Sequence, residues 1–391
     1  MMIEIHGAGF RNKGGELMLR TAIAEIRKRL PEAQFAIDPT VGPYAKRAKL
    51  ELRQIIPPRW WMGSRRFRVG LMAQRAISPL LTSTPLSRFT DMYGGAALSQ
   101  IDALVDVSGF AFTDQWGTAP MHDFTRLAQA YKKQGKPVVM LPQGFGPFEK
   151  SESRQAAQEL ASVPDLIYAR DKVSYQHIDP GSHNDHIRLG PDITLFYPEM
   201  IQHVTPAQEA RYSCIIPNVR MLKQGKEKWE GRYEDVLVHI GNTLHDSGEK
   251  VLLLIHDTSG DDKDIAQRVQ QRMSSPPEIV ERQNPVDLKQ VVAESKVVIT
   301  SRYHGAIAAF SKGVPSLCMG WAHKYEALYE DFGVRENMIS PLDTKKDISE
   351  KTKKIVETSE NERERKSIYE NLDKMKDKSN NLWENVINTI K

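Results

Sequence analysis

The run Ser301–Gly305 is the strongest candidate for chemistry in this sequence of 391 residues. Arg302 has a fixed positive charge with paired donors for a carboxylate or phosphate, and His304 can donate or accept a proton near neutral pH. An apolar run precedes the segment and small residues follow it, so both side chains are expected at a strand end and a helix N-terminus. The alternative is a helix-capping histidine and a surface arginine. Lys324, after the next predicted strand, either adds positive charge to the same sheet edge or is solvated.

Arg170 lies at the end of another apolar run, where a fully exposed arginine is not expected. Its guanidinium suits a carboxylate or a phosphate. The alternative is a structural ion pair with Asp171 or Asp192, and Asp192 could also orient Arg170. Because the position recurs at a predicted sheet edge, a role in ligand binding is favoured.

A third candidate follows the first predicted strand, where Asn12, Gly14, Gly15 and Glu16 precede a helix. A glycine pair lets the backbone turn tightly and come close to a ligand, and N–H groups at the start of the helix would face an anion. The segment matches neither of the common glycine-rich phosphate motifs. The alternative is a strand-to-helix turn without ligand contact.

Two further turns follow predicted strands and should lie at the carboxyl edge of a sheet, where ligands bind in open α/β folds. One carries Asp106 and Asp114, and Asp114 either acts on a ligand or caps a helix. The other carries Gln143 and Gly144. Its glycine allows close backbone approach, and Gln143 could donate to a sugar or a phosphate.

These segments, in this order, resemble the polysaccharide pyruvyl transferase family over about residues 3–333. The motifs that carry the resemblance are Asn12–Glu16, Leu141–Pro147, Ala169–Ser174, Gly190–Asp192, Ser301–Ala306, Gly313–Pro315 and Lys324. The chain departs from the family at Glu16, where the family usually has Asp, and at Ser108–Phe110, where it usually has a run of glycines. The resemblance implies a GT-B-like fold, phosphoenolpyruvate as donor substrate, and a pair of sugar hydroxyls as acceptor, which gives a pyruvate ketal. Donor binding is then expected from Arg170, Arg302, His304 and Lys324.

The expected mechanism uses His304 as the acid, either for the methylene carbon of the donor or for the departing phosphate, and Glu16 or Asp114 as the base that takes the hydroxyl proton. The acceptor or loop residues are expected to be Asn12, Gly14, Gly15, Gln143 and Gly144. No cluster of His, Cys and carboxylates has metal-ligand spacing, so we expect no obligatory metal and no cofactor besides the donor substrate. The hypothesis requires Arg170 to converge with Arg302 and His304 on one pocket.

Two series of apolar strands that alternate with helices must position these residues. In the first half, the predicted strands are Met2–His6, Gln34–Asp38, Ala103–Val107, Val138–Leu141 and Asp165–Ala169. In the second half, they are Tyr212–Ile216, Val251–His256, Glu278–Glu281, Val297–Thr300 and Ser316–Met319. The pattern predicts an α/β protein of two Rossmann-like domains that face each other across a cleft, each a parallel sheet with helices on both faces. The expected parts are an acceptor-side domain at 1–200 with a basic and aromatic insertion at 57–90, a donor-side domain at 201–340, and a charged helical segment at 341–391.

Composition and charge narrow the class of protein. A net charge of +4 argues against nucleic acid as a main partner and suits an anionic substrate. Cys214 and Cys318 are expected as buried free thiols of a reducing compartment, and no signal peptide or membrane-spanning run is visible, so a cytoplasmic location is expected. Residues 57–72 are a packed interdomain loop, an acceptor-binding flap, or a patch that touches anionic lipid at the inner membrane face. The expected partner is a glycan or a lipid-linked saccharide acceptor.

Two other functions are compatible with the sequence. A glycosyltransferase of the same fold would use Arg302 and Lys324 for the diphosphate of a nucleotide-sugar donor. The second is a non-catalytic carbohydrate-binding protein. Sugar binding alone needs neither two cations nor a proton donor, so the presence of Arg170, Arg302 and His304 together argues against it.

Overall fold

The computed structural model describes residues 1–10, 12–56, 72, 76–83, 86–197, 212–229, 231–257 and 260–391. Their strands form two sheets, in which every strand pair is parallel. Helices pack on both faces of each sheet, so the predicted fold class is confirmed on this point. The expected cleft stays a prediction.

The first sheet has eight strands in the order β4-β3-β2-β1-β5-β6-β7-β8. They are β1 (Met2–His6), β2 (Gln34–Ile37), β3 (Leu52–Ile56), β4 (Gly95–Ala97), β5 (Ala103–Asp106), β6 (Val138–Gln143), β7 (Leu166–Ala169) and β8 (Ile187–Leu189). The strand order reverses between β1 and β5, where His6 is in register with Asp106. In open α/β sheets, ligands bind outside the carboxyl ends of the strands at such a switch point.

The helices that accompany this sheet alternate with its strands. They are α1 (Lys13–Arg29), α2 (Tyr44–Lys49), α3 (Leu86–Met92), α4 (Ala119–Lys132), α5 (Ser151–Ala161) and α6 (Lys172–Ile178). Successive residues of β5 point to opposite faces, so Leu104 packs in the core that holds Phe124 of α4, while Val105 packs in the core that holds Leu19 of α1. Burial on both faces explains why the central strands read as continuous apolar runs.

The second sheet has five strands in the order β11-β10-β9-β12-β13 and reverses between β9 and β12. They are β9 (Tyr212–Ile216), β10 (Val251–Ile255), β11 (Glu278–Glu281), β12 (Ser295–Thr300) and β13 (Ser316–Cys318). The helices are α7 (Arg220–Lys223), α8 (Lys226–Trp229), α9 (Tyr233–Asp246), α10 (Asp261–Arg272), α11 (Pro285–Ala293), α12 (Tyr303–Phe310), α13 (His323–Asp331), α14 (Lys345–Val356) and α15 (Thr358–Ile390). Small residues let α12 pack closely, since a Cβ added at Gly305 would lie 2.5 Å from the Thr300 hydroxyl oxygen.

The chain divides into two compact units that are not continuous in sequence. Unit 1 comprises Met1–Phe10, Met18–Ile193 and Lys378–Lys391, and unit 2 comprises Arg11–Leu17 and Thr194–Asp377. The predicted division into three consecutive segments differs from this at both ends of the chain. The first turn of α1 joins unit 2, and α15 contributes to both units, because membership depends on packing and not on the local strand and helix pattern.

Several smaller predictions meet the structure here. Cys214 and Cys318 are buried free thiols, as predicted. The sequence analysis missed β3, β4 and β8, two of which are only three residues long. Most of the predicted insertion lies outside the described residues, which include only 72, 76–83 and 86–90 of it. No helix within the described ranges is long and apolar enough to cross a membrane.

Candidate functional site

Arg302 and His304 lie at the switch point of the second sheet. β12 ends at Thr300, Arg302 is the N-cap residue of α12, and His304 is in its first turn. Asn218, which follows the neighbouring strand β9, donates from its side-chain amide to the Ser301 carbonyl over 2.6 Å. Both predicted residues are therefore at the sheet edge where an α/β fold binds its ligand.

Two carboxylates hold the Arg302 guanidinium in place. Its Nη2 donates to Oδ2 of Asp262, and its Nη1 lies 3.5 Å from Oδ2 of Asp257. The buried Nε atom has no hydrogen-bond partner among the described residues. Burial raises the pKa of Asp262, and the charge of Arg302 opposes that rise in pKa. The sequence analysis missed both carboxylates, although Asp257 directly follows a predicted strand.

His256 directly follows β10, and its pKa depends on the charged side chains at this edge of the sheet. Its side chain is buried, and burial together with the positive charges of Arg302, His304, Lys13 and Lys289 lowers its pKa well below the usual value. A neutral imidazole is the consequence near neutral pH. Burial and the neighbouring cations therefore act in the same direction on the pKa of His256.

The first turn of α1 contributes to the same group. Asn12 caps the helix, since its Oδ1 accepts from the Gly14 N–H over 3.0 Å. The buried Lys13 donates to the Gln283 carbonyl, and its Nζ lies 3.9 Å from Oε2 of Glu16. Gly15 follows within this turn.

Gly14 is the point of closest backbone approach in this turn. A Cβ added at Gly14 would lie 2.1 Å from Nδ1 of His304, a distance that real Cβ atoms do not reach. The sequence analysis expected the glycine pair to approach a ligand. The structure brings the backbone of Gly14 against the imidazole of His304, so glycine is required here to leave room for that ring. The approach to a ligand stays a prediction.

Lys324 is buried in an aromatic environment. Its Nζ lies 4.9 Å from the ring centroid of Trp321, 5.5 Å from that of Tyr303 and 5.6 Å from that of Tyr325. The predicted alternative of a solvated lysine is therefore wrong. Desolvated cation–π contacts stabilise a charge at this position and fix where it is.

The remaining predicted site residues belong to unit 1. Nη1 of Arg170 donates to Oδ2 of Asp192 over 3.2 Å, with both side chains almost completely buried. Asp171 instead caps α6 by accepting from the Ser174 N–H. A Cβ added at Gly144 would lie 3.2 Å from Nη2 of Arg170, so the backbone passes close to this guanidinium.

The two polar residues of the neighbouring turns already have protein partners. Oδ2 of Asp114 accepts from the Glu149 N–H over 2.6 Å, while its buried Oδ1 has no hydrogen-bond partner among the described residues. Nε2 of Gln143 donates to Asp106 over 2.8 Å. His6, which the sequence analysis did not select, contacts the same Asp106 carboxylate.

The predicted site residues thus fall into two groups. The group in unit 2 comprises Asn12, Gly14, Gly15, Glu16, Arg302, His304 and Lys324, and the group in unit 1 comprises Asp114, Gln143, Gly144 and Arg170. The convergence of Arg170 with Arg302 and His304 stays a prediction. Within the described part of the chain, no three His, Cys, Asp or Glu side chains are arranged to hold a metal ion.

Comparison with known sequences gives a family and a relative. The family model described as polysaccharide pyruvyl transferase matches residues 12–323. The amylovoran biosynthesis protein AmsJ of Erwinia amylovora is 25% identical over 272 residues, which cover 64% of this chain and 63% of that protein. The chain therefore matches less than two thirds of the length of this relative.

Comparison with solved structures supports a GT-B-like fold. S. aureus MnaA, in a co-structure with UDP, has a TM-score of 0.58 and 10% identity, covering 94% of this chain and 90% of that chain. Methanocaldococcus jannaschii UDP-GlcNAc 2-epimerase has a TM-score of 0.54 and 11% identity, covering 92% and 93%. Medicago truncatula UGT71G1, complexed with UDP-glucose, has a TM-score of 0.53 and 10% identity, covering 100% and 98%. At these identities the likeness concerns the fold alone.

Proposed function

The chain belongs to the polysaccharide pyruvyl transferase family, and from this premise we propose that it transfers the pyruvyl group of phosphoenolpyruvate to a pair of hydroxyls on a glycan. The product would be a cyclic pyruvate ketal with release of inorganic phosphate. The protein is a transferase, and the identity of the donor and the form of the product are the proposed parts.

The observation that carries this proposal is the set of buried cations in the unit that holds His304. Lys13, Lys289, Arg302 and Lys324 are all buried in unit 2, and burial, together with the charges of Arg302, Lys13 and Lys289, lowers the pKa of His256. Phosphoenolpyruvate carries a carboxylate and a phosphate on three carbons. Cations in a poorly hydrated site would neutralise both groups and fix their orientation, which supports this donor.

The proposed reaction begins with proton transfer from His304 to the methylene carbon of the donor. The electron pair of the C=C bond forms the new C–H bond, and the adjacent carbon becomes cationic. A sugar hydroxyl then attacks that carbon and loses its proton to a base. The C–O bond to phosphate breaks with its electron pair, and the second hydroxyl closes the ketal as it loses its own proton. Glu16 and Asp114 are the bases expected from the sequence.

The setting of the reaction is also proposed. The relative AmsJ is named for amylovoran biosynthesis, which supports a polysaccharide or its precursor as acceptor, including a lipid-linked saccharide. We propose a cytoplasmic location and a reaction that needs no metal. Contact of residues 57–72 with anionic lipid is the remaining hypothesis for the insertion, and liposome binding at low salt tests it.

Phosphate release is the direct test. The protein is incubated with phosphoenolpyruvate and a panel of methyl glycosides, and acceptor-dependent phosphate release is expected. Phosphoenolpyruvate alone should also raise the melting temperature, because a ligand that binds the folded state stabilises it. Stabilisation by a nucleotide sugar, with no effect of phosphoenolpyruvate, would favour a glycosyltransferase instead.

A further inference from the structure

The switch point of the first sheet holds a histidine and an aspartate that the mechanism above does not use. His6 is the last residue of β1 and Asp106 the last residue of β5, and the two are in register. The strand order reverses between these two strands. Their side chains therefore lie at the position in unit 1 where open α/β sheets bind ligands.

The geometry resembles the part of a catalytic triad that orients a base. Nδ1 of His6 lies 2.7 Å from Oδ1 of Asp106, whose side chain is completely buried. A carboxylate can only accept, so Nδ1 carries the proton and Nε2 presents its lone pair. Nε2 has no hydrogen-bond partner within the described residues, and 18% of the His6 side chain is exposed. The ring is thus held firmly while its basic nitrogen remains available to a ligand.

The Asp106 carboxylate is itself fixed by further donors. Ser108 donates its hydroxyl to Oδ1 over 2.7 Å, and Gln143 donates Nε2 to Oδ2 over 2.8 Å. Gly7 makes this packing possible, because a Cβ there would lie 2.0 Å from the Ser108 hydroxyl oxygen. The Ser108 hydroxyl and the Gln143 amide therefore fix the Asp106 carboxylate, which also pairs with the partly exposed His6.

Gln143 gives a second, independent indication of a ligand. Its side chain is completely buried, and its Oε1 atom has no hydrogen-bond partner among the described residues. The amide cannot be reversed, since only its NH₂ group can donate to Asp106. A buried acceptor without a partner is costly, and a hydroxyl of a bound sugar would satisfy it.

Among the described residues, the groups that face His6 come from β5 and α4. Asp106 approaches from β5, and on α4 the ring of Phe124 lies 5.4 Å from the imidazole. Asp123 on α4 interacts electrostatically with His6, and Nη1 of Arg126 donates a hydrogen bond to the Asp123 carboxylate. The nearest charged groups are thus carboxylates.

We propose that His6 is the general base for the acceptor hydroxyl and that Asp106 is its positioning residue. This inference rests on the proposed pyruvyl transfer. In the step, the O–H bond of the sugar breaks, its proton goes to Nε2 of His6, and its electron pair forms the bond to the cationic donor carbon. Asp106 stabilises the resulting imidazolium, which returns the proton to the released phosphate or to water.

This role replaces the bases expected from the sequence. Asp114 uses one oxygen to accept from the Glu149 N–H, and Glu16 lies beside the ammonium of Lys13. His6 has no cation partner among the described residues, and its Nε2 atom is the open acceptor of the His6–Asp106 pair.

The test compares His6→Gln and Asp106→Asn with His186→Gln. His186 belongs to the same unit and bonds the Ala161 carbonyl just before β8, so its change controls for the loss of a histidine. For His6→Gln we expect acceptor-dependent turnover to fall about 10²–10⁴-fold, with the stabilisation by phosphoenolpyruvate retained. Asp106→Asn should fall comparably, because an amide can hold the wrong tautomer. His186→Gln should behave as the wild type.

The pH profile separates a base from a structural histidine. In the wild type, kcat/KM for the acceptor should rise with pH as the base loses its proton, and this rise should vanish in His6→Gln. Turnover within about threefold of wild type with an unchanged profile, or a loss that merely follows a lowered melting temperature, would overturn the inference.

A spectroscopic readout decides the matter even if the wild type releases no phosphate, a result that would refute the proposed function alone. In protein labelled with ¹⁵N-histidine, His6 should appear as the Nδ1–H tautomer at neutral pH. Saturating methyl glycosides should shift its Nε2 resonance and leave that of His186 unchanged. Absence of any shift across the panel would refute contact between His6 and the acceptor.

Discussion

Each of the two sheets reverses its strand order at one switch point, but the side chains at these two points differ in charge. In unit 2, the edge beside β12 carries His304 and the buried Arg302, whose guanidinium is held by two aspartates. In unit 1, the edge beside β1 gathers neutral donors around Asp106, with His6 as its exposed partner. The comparison teaches that a parallel sheet supplies the place for a ligand, whereas the charge of the side chains selects which ligand. Under the proposed function, most of the buried cations for the anionic donor belong to unit 2, and the His6–Asp106 pair for the acceptor hydroxyl belongs to unit 1.

The largest expected effect is on the proposed acid, His304 of unit 2. His304→Ala should lower turnover about 10²–10⁴-fold, since proton transfer to the donor loses its positioned group. The melting temperature should change little. His245→Ala, an exposed histidine at the end of α9, is the matched control. Steady-state phosphate release measures both variants. If His304→Ala keeps near-normal rates, His304 is not the acid, and the contrast drawn between the two units is wrong.

The second prediction concerns the free energy of unfolding and the part of it that depends on the pairing of Arg302 with two aspartates. Arg302→Ala leaves the buried Asp262 without its cation, so the free energy of unfolding should fall by about 3–5 kcal/mol. Arg268→Ala, which removes an exposed pair with Glu234, should change it by less than about 1 kcal/mol. Urea unfolding of unit 2, followed by tryptophan fluorescence, measures both changes.

The loss of stability in Arg302→Ala should depend on pH, which tests whether Asp262 is its cause. Burial already raises the pKa of Asp262, and removing Arg302 should raise this pKa further. A carboxyl with a raised pKa in the folded state favours folding when it is protonated, so the instability of Arg302→Ala should be smaller at acidic than at neutral pH. An equal loss at both pH values would argue against Asp262 as the cause.

The smallest expected effect tests the approach of Gly14 to His304. Gly14→Ala places a methyl group where the imidazole lies, so the ring must move and turnover should fall up to about 10²-fold. Helix propensity favours alanine, so stability is a poor readout here and kinetics is the proper one. Gly9→Ala is the control, because a Cβ at Gly9 meets no atom within 4 Å. Equal kinetics of the two variants would mean that His304 tolerates displacement.

The success of sequence reasoning differed between the two switch points for a physical reason. Arg302 and His304 are two positions apart after one apolar run, so their partnership is local and visible in the sequence. His6 and Asp106 are 100 residues apart, and each lies at or near the end of its own predicted strand. Asp106 was noted as a carboxylate at a sheet edge, but nothing local indicated that β1 would be its neighbour.

Contacts that form across sequence distance were missed in unit 2 as well. Asp262 is 40 residues from Arg302, and Gly14 lies on a helix that precedes His304 by almost 300 residues. A partial signal existed for Asp257, because a charged residue after a buried strand reaches the ligand edge. The ion pair predicted for Arg170 with Asp171 or Asp192 was resolved only by geometry, in favour of Asp192.

By itself, the sequence determined the class of fold, most of the strands and several polar residues at or just after the strand ends. Hydrophobic periodicity carries that information, because it records which faces of an element are buried. The tertiary structure alone decided which strand ends are neighbours, and therefore which side chains act as pairs. Strand order depends on long-range packing of the helices and sheets, and no local pattern of residues specifies it.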